Sequence, residues 1–421
     1  MTTNCRLCAG TELVSVLDLG ASPPCEAFLP AEALDAAEAT YPLHLRLCPD
    51  CLMLQIPALI LPDETFTDYA YYSSFSTSWV EHARRFVESS IRDLGLGHDA
   101  FVVEVASNDG YLLQHVVASG IRCLGIEPSV NVGAAATANG VPTLTAFLDA
   151  ELGAQVAAQH GPADLVVANN VWAHIPDILG FTRGLRALVA DTGRVSIEVH
   201  HALSLVTEAQ FDTIYHEHFQ YWTVLAAERA LALGGLRLVD VELLSTHGGS
   251  IRLWAARDDS DAEVSPRVAD VMRIEREAGL DTPAGYRGLA EATSRIRDDL
   301  VTYLVQARRD GRTVVGYGAP GKGNTLLNYC GIRPDLVAYL ADRNPYKHGR
   351  FTPGVRIPVV APEHLTADAP DEVLVLPWNL RTEITAQLSA TLKPGTKLIF
   401  PLPALEVVTV GDPSSGSGDR S

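Results

Sequence analysis

The chain has 421 residues, 47% of them hydrophobic and 20% charged, with a formal net charge of -19. That length exceeds what one hydrophobic core supports and predicts two or three domains, and the apolar content excludes wholesale disorder. Repulsion from polyanionic backbones and headgroups excludes nucleic acid and anionic membranes as general partners, while a local basic pocket for a phosphate remains compatible with the charge.

Residues 1–68 carry Cys5-x-x-Cys8 and Cys48-x-x-Cys51 in a Pro-rich, loop-like context. Two such pairs place four thiolates tetrahedrally around one Zn²⁺, and a site filled by four protein ligands folds a module without leaving a position for chemistry. Cys25, Cys123 and Cys330 stand alone and are read as small hydrophobes. No stretch approaches the roughly 20 uncharged apolar residues of a membrane helix, and "MTTNCRLCAG" lacks the blocks of a signal peptide, so a cytoplasmic location is expected.

A helix is predicted from about residue 78 to Gly95, followed by the apolar runs "FVVEV", "IRCLGIEPS", "ADLVVANN" and "RVSIEVH" with helices between them. This alternation predicts parallel βαβ units over residues 69–262. A long helix at about 285–310, closed by Gly311, leads into a second alternating set, "TVVGYG", "LVAYLAD", "DEVLVLP" and "KLIFPLP", over 263–408. The tail 409–421, "TVGDPSSGSGDRS", reads as disordered. The fold class is therefore α/β: a zinc module followed by two Rossmann-like domains.

In the first α/β unit, Glu104, Ala106, Asn108, Asp109 and Gly110 of "EVASNDG" close one strand, and Glu127 ends the next, about twenty residues on. A carboxylate there accepts ribose hydroxyls, and the small loop lets the backbone approach a ligand at the carboxyl ends of the strands. Without three spaced glycines the loop suits a ligand carrying an amino acid and a sulfonium, which favours S-adenosylmethionine and predicts a class I S-adenosylmethionine methyltransferase domain. Asn169, Asn170 and His174 of "ANNVWAHIPD" end the third strand and either complete this crevice or cap the next helix.

The second unit does contain G-x-G-x-x-G, at Gly316, Gly318 and Gly321, with Asp342 ending the following strand. By spacing this is a dinucleotide fingerprint, which raises an NAD(P)-dependent ketoreductase, alone or combined with methyl transfer, as the alternative function. Lys322 in that turn, with Lys347 and Arg350 downstream, equally suits the diphosphate of an activated substrate. Between the units, "FDTIYHEHFQYW" is a candidate metal site, proton-transfer site or polar core edge; as a metal site it lacks the H-E-x-x-H helix.

Taken in order, the cysteine pairs, "EVASNDGYLL", "IEPS", "ANNVWAHIPD", "YHEHFQYW", "HGGSIR" and "GYGAPGKGNTLLNY" resemble the sugar C-methyltransferases that alkylate nucleotide-linked 4-keto-deoxyhexoses, over nearly the whole chain. The resemblance implies methylation, with C-3 favoured, of a thymidine diphosphate 4-keto-deoxyhexose through a base-generated enolate, in deoxysugar and antibiotic biosynthesis. It implies His218 as the base with Tyr215 and Glu217 beside it, and a tyrosine of "DYAYYSS", with Tyr72 favoured as catalytic and Tyr69 as a substrate contact. It further implies that His247, Gly318, Lys322, Asn324 and Lys347 face the nucleotide sugar, and a monomer or weak dimer. A regular strand would send Tyr215 and Glu217 one way and His216 and His218 the other, so a bend is expected at "YHEH". His200 and His201 in "IEVHH" are unusual and are given no role.

Overall fold

The structure, a computed structural model, describes residues 4–60 and 72–411. Tyr69 and Tyr71 of the tyrosine loop and residues 412–421 of the expected tail lie outside the described residues. The chain divides into two compact units, each assembled from separated segments. The first comprises Met1–Val14, Leu47–Leu203 and Phe219–Gly285, and the second Ser15–Arg46, Ser204–His218 and Tyr286–Ser421.

The first unit opens its α/β core with α1, Thr77–Leu94. Ser76 caps it by accepting from the Trp79 amide at 3.3 Å, and Gly95, at φ 65°, ends it in the left-handed conformation that only glycine adopts without steric cost. Ala83, Phe86, Val87 and Ser90 are its buried residues, spaced three and four apart as one helix face requires. The strands follow as β1 (Phe101–Val105), β2 (Arg122–Ile126), β3 (Thr143–Leu144), β4 (Ala163–Asn169), β5 (Val189–His200), β6 (Leu236–Leu244) and β7 (Ser250–Arg257).

They form one sheet in the order 3-2-1-4-5-7-6, parallel from β3 to β5, with β7 antiparallel to both β5 and β6. Every residue of β1 is buried, as a strand covered by helices on both faces must be. Strand order reverses between β1 and β4, so their carboxyl ends open the crevice where an open α/β sheet binds its ligand. The sequence does not announce the β6–β7 hairpin, because "VELLSTHGGSIRLW" lacks a two-residue hairpin turn and the chain instead reverses through a short 3-10 turn at Thr246–Gly248. Trp172 and Trp222, both fully buried, stack at 3.7 Å within this unit's core.

The second unit contains the hydrogen-bonded neighbouring strands Val14–Ser22 and Tyr41–Leu47, then a long helix, Gly288–Arg309, close to its predicted bounds. Its sheet has β8 (Val314–Tyr317), β9 (Leu340–Ala341), β10 (Val359–Val360), β11 (Glu372–Val375), β12 (Lys397–Phe400) and β13 (Glu406–Thr409) in the order 10-9-8-11-12-13. All neighbours are parallel except β12 and β13. Here the order reverses between β8 and β11, which puts a second crevice at the loop carrying the three glycines. Thr409 belongs to the last strand, so ordered chain runs slightly into the expected tail.

Candidate active site

The cysteine pairs of the first unit form two matching knuckles. The Ala9 amide bonds the Cys5 carbonyl at 2.9 Å and the Leu52 amide the Cys48 carbonyl at 2.8 Å, with Ala9 at φ 61° and Leu52 at φ 64°. The four sulfurs lie within 4.8 Å of one another, with Cys5–Cys51 at 3.4 Å and Cys8–Cys48 at 3.5 Å. Tetrahedral Zn–S bonds of about 2.3 Å separate sulfurs by about 3.8 Å, so the quartet fits zinc. A Cβ at Gly10 would stand 2.7 Å from Asp50 Oδ2 and 3.3 and 3.4 Å from the Cys48 and Cys8 sulfurs, so glycine relieves crowding at the rim. Among the described residues this is the one cluster with metal-ligand geometry; the histidines of "YHEH" form none.

At the carboxyl ends of β1 and β4, the loop after β1 is held in an uncommon conformation. Ala106 and Asn108 sit at φ 57° and 50°, and Gly110 at φ 82°, where a Cβ would meet the Val141 Cγ2 at 2.8 Å. Non-glycine residues in this region cost about 1 kcal/mol or more and mark sites where backbone geometry is prescribed. Glu127 shapes the loop directly, accepting from the Asn108 amide and the Ser129 amide, each at 2.9 Å. Each of its oxygens keeps a second lone pair for a ligand hydroxyl. The Ser73 and Ser74 amides bond Asn108 Oδ1 and Asp109 Oδ2 at 2.8 and 3.2 Å, which lays the lead-in to α1 across the same loop.

The electrostatics of this crevice call for a cation. Burial, then the charges of Glu127 and Asp109, push the Glu104 carboxyl well above the usual range, and burial also raises Glu127. Among the described residues, Glu104 Oε2, Asp109 Oδ1 and Asn169 Oδ1 are buried acceptors that find no hydrogen-bond partner. An ammonium and a sulfonium supply what those acceptors lack, so the residues fit S-adenosylmethionine. Asn170, at φ 52°, donates its amide to the Glu198 carbonyl at 2.7 Å, and His174 ends the 3-10 turn that follows. Tyr72 stacks on Phe75 at 5.4 Å with its hydroxyl 3.5 Å from Asn131.

In the second unit "YHEH" is a turn, not a strand. The His218 amide bonds the Tyr215 carbonyl at 2.9 Å, closing residues 215–218 and bringing two side chains three apart together. His218 Nδ1 lies 3.0 Å from the Thr213 carbonyl, which can only accept, so Nδ1 carries the hydrogen and Nε2 the lone pair. Tyr215 donates its hydroxyl to that Nε2 at 2.7 Å. Glu217 leaves this pair: its carboxylate faces the Cys25 thiol, 3.9 Å away, and burial followed by the charge of Glu26 pushes it up to about 8. His216 points elsewhere, to the Tyr41 carbonyl at 3.0 Å.

The glycine loop of β8 sits at this unit's strand-order reversal. Gly318, at φ 79°, allows Pro377 to approach within 2.5 Å of a would-be Cβ. Helix Gly321–Cys330 follows, and Lys322 lays its ammonium 4.4 Å from the Trp378 ring centre and against Asn379. Burial lowers it to about 8, against the attraction of Asp212, whose carboxylate accepts from the Trp378 indole at 2.6 Å. Asn324 donates to the Cys25 carbonyl at 2.6 Å, while its buried Oδ1 has no partner among the described residues. Lys347 pairs with Glu26 at 3.1 Å and donates to the Ala319 carbonyl at 2.8 Å. Both Asp342 oxygens accept from backbone of this same region, the Ala319 amide at 2.5 Å and the Asn344 amide at 2.7 Å.

The histidines without an assigned role divide. His201 pairs with Glu275 at 2.7 Å, and Glu275 also accepts from the Val224 and Leu225 amides at the start of helix Val224–Leu233, which makes the set an internal cap. Sequence reasoning missed Asp212, Trp378, Glu26 and the packing of Cys25 on Glu217. Only Asp212 lay inside a stretch that had drawn notice.

Comparison with known proteins agrees with this geometry. The family model for a C-methyltransferase C-terminal domain matches residues 245–403, a zinc binding domain model matches 5–66, and a methyltransferase domain model matches 79–241. The C-methyltransferase NovU of Streptomyces niveus is 35% identical over 405 residues, covering 96% of each chain. The chain belongs to the C-methyltransferase family. It is an S-adenosylmethionine-dependent C-methyltransferase with an N-terminal zinc-binding module. Among solved structures, magnesium protoporphyrin IX methyltransferase of Synechocystis PCC 6803 is 16% identical, covering 42% of this chain and 83% of that one at a TM-score of 0.35. The PH0226 protein of Pyrococcus horikoshii OT3 is 10% identical, covering 45% and 95% at a TM-score of 0.37. No helix among the described residues of this C-methyltransferase is long and apolar enough to cross a membrane.

Proposed function

We propose that this C-methyltransferase methylates the carbon beside the ketone, C-3, of a thymidine diphosphate 4-keto-deoxyhexose. The observation that carries the reading is the Tyr215–His218 pair, in which a carbonyl fixes the tautomer and leaves Nε2 basic. An imidazole with an ordinary pKa near 6.5 is mostly unprotonated at pH 7 and suits removal of a proton alpha to a ketone.

In this reading the ketone oxygen takes over the Tyr215 hydroxyl, which uncovers Nε2. The C-3 proton passes to His218 Nε2, the C–H electron pair becomes the enolate double bond, and the negative charge gathers on the oxygen that Tyr215 hydrogen-bonds. The enolate carbon would then take the methyl group, its new C–C bond forming as the methyl–sulfur bond breaks and leaves that electron pair on a neutral thioether sulfur, and the imidazolium returns its proton to solvent. S-adenosylmethionine supplies a methyl group on a cationic sulfur. Lys322 and Lys347, at the second crevice, bring the positive charge that a diphosphate requires.

The test is mass spectrometry of thymidine diphosphate 4-keto-6-deoxyglucose and its 2-deoxy and 3-amino analogues, incubated with enzyme and S-adenosylmethionine in deuterium oxide. A gain of one methyl group at C-3, lost in His218→Ala, is the expected result. Methylation at C-5, or on oxygen or nitrogen, refutes the position, and reduction of the ketone on adding NADPH without methyl gain overturns the reading.

A further inference from the structure

Glu198 is a buried carboxylate that no step above uses. It sits near the end of β5, in register with Asn169 of β4, with its side chain fully buried. Three groups from three elements converge on it. His82 of α1 approaches Oε2 at 2.8 Å, Arg252 of β7 donates to the same oxygen at 2.6 Å, and the Thr246 hydroxyl donates to Oε1 at 3.0 Å. Burial alone would raise this carboxyl, but the His82 hydrogen bond and the Arg252 charge outweigh it and hold it below the usual range. Arg252 is held in turn by Glu242 at 3.0 Å and lies 4.5 Å from the Phe86 ring centre.

The partners lead to the cofactor crevice. His82 stacks on Trp79 at 4.9 Å, and Trp79 also meets His247 at 4.9 Å and Tyr111 at 6.0 Å, the latter in the loop after β1. Thr246 begins the 3-10 turn that holds His247 at φ 56°. We propose that Glu198 is a positioning residue for methyl transfer: one buried carboxylate fixes both the start of α1 and the Thr246–Gly249 turn at the edge of the cofactor crevice. The Trp79 indole, clasped between His82 and His247, is the wall so placed. A carboxylate needed only to neutralise Arg252 would have no use for the Thr246 hydroxyl.

That bond separates the two roles. Thr246→Val keeps the shape of the side chain and leaves both ion pairs of Glu198 intact, while Thr246→Ser keeps the hydroxyl. In Thr246→Val, backbone hydrogen exchange of residues 246–250 is expected to accelerate about tenfold or more and kcat to fall about tenfold, with the melting temperature within about 2 °C of wild type. Thr246→Ser is expected to restore both. Glu198→Gln, which also loosens α1, is expected to weaken S-adenosylmethionine binding in calorimetry about tenfold as well. Wild-type exchange and kcat in Thr246→Val, or a fall in kcat matched by the loss of folded protein, would overturn the proposal. Exchange and calorimetry need no sugar, so they report on Glu198 even if the proposed substrate is wrong.

Discussion

Replacing Tyr215 by phenylalanine removes one oxygen and leaves the ring that lies 3.9 Å from His218 in place. Deleting one oxyanion donor costs about 2.7–4 kcal/mol in the barrier. In the free enzyme that hydroxyl already spends itself on His218 Nε2 at 2.7 Å, a bond worth about 1 kcal/mol net that substrate must break. The variant escapes that cost, so the net loss is about 2–3 kcal/mol, a fall in kcat of about 30- to 160-fold. The assay follows deuterium entering the carbon beside the ketone, with and without S-adenosylmethionine. Because the donor stabilises the enolate, exchange and methylation should fall together. His218→Ala should abolish both. Methylation lost with exchange at the wild-type rate would show that Tyr215 acts after the proton leaves, and wild-type values for both would remove it from the chemistry.

Three further outcomes follow from single residues. Glu217 is raised from 4.5 to about 8, so between those pH values the folded state holds a proton that the unfolded state lacks. Stability is therefore lost as pH rises through that window, by up to about 1.4 kcal/mol per unit; melting curves from pH 5 to 8 should be flatter in Glu217→Gln, which should exceed wild type at pH 8, and an unchanged slope would assign the dependence elsewhere. Cys48→Ser should lose bound zinc by elemental analysis and lower the melting temperature, since structural zinc contributes about 10 kcal/mol or more to folding; a zinc-free variant melting like wild type would contradict a structural metal. Gly110→Ala forces a Cβ to 2.8 Å from Val141 at φ 82° and should weaken S-adenosylmethionine binding about tenfold or more in calorimetry; unchanged affinity would detach that loop from the cofactor.

What the sequence disclosed was local. Cys-x-x-Cys pairs, a small loop after an apolar strand and a glycine triplet before a helix are each written within a dozen residues, and spacing alone carries their geometry. The bend at "YHEH" was legible as a requirement but not as an arrangement, because a turn and a strand satisfy the same four letters until the His218 amide finds the Tyr215 carbonyl. The partners that set the chemistry are remote: Cys25 meets Glu217 across 192 positions, Trp378 meets Asp212 across 166, and Arg252 meets Glu198 across 54.

No periodicity announces such pairs, yet their logic is recoverable from one physical rule. A buried charge in an α/β core is tolerated only with partners, so each acidic residue inside an otherwise apolar strand demands one. Glu198 interrupts the apolar run of "VSIEVH" and Glu372 opens that of "EVLV", and both prove to be held by arginine, Arg252 and Arg312 respectively. Glu104 in "FVVEV" breaks its run as Glu198 does, but among the described residues no arginine acts on it. That difference separates a carboxylate that organises the fold from one kept for a cationic ligand, and it makes the unpaired one the better guide to the cofactor crevice.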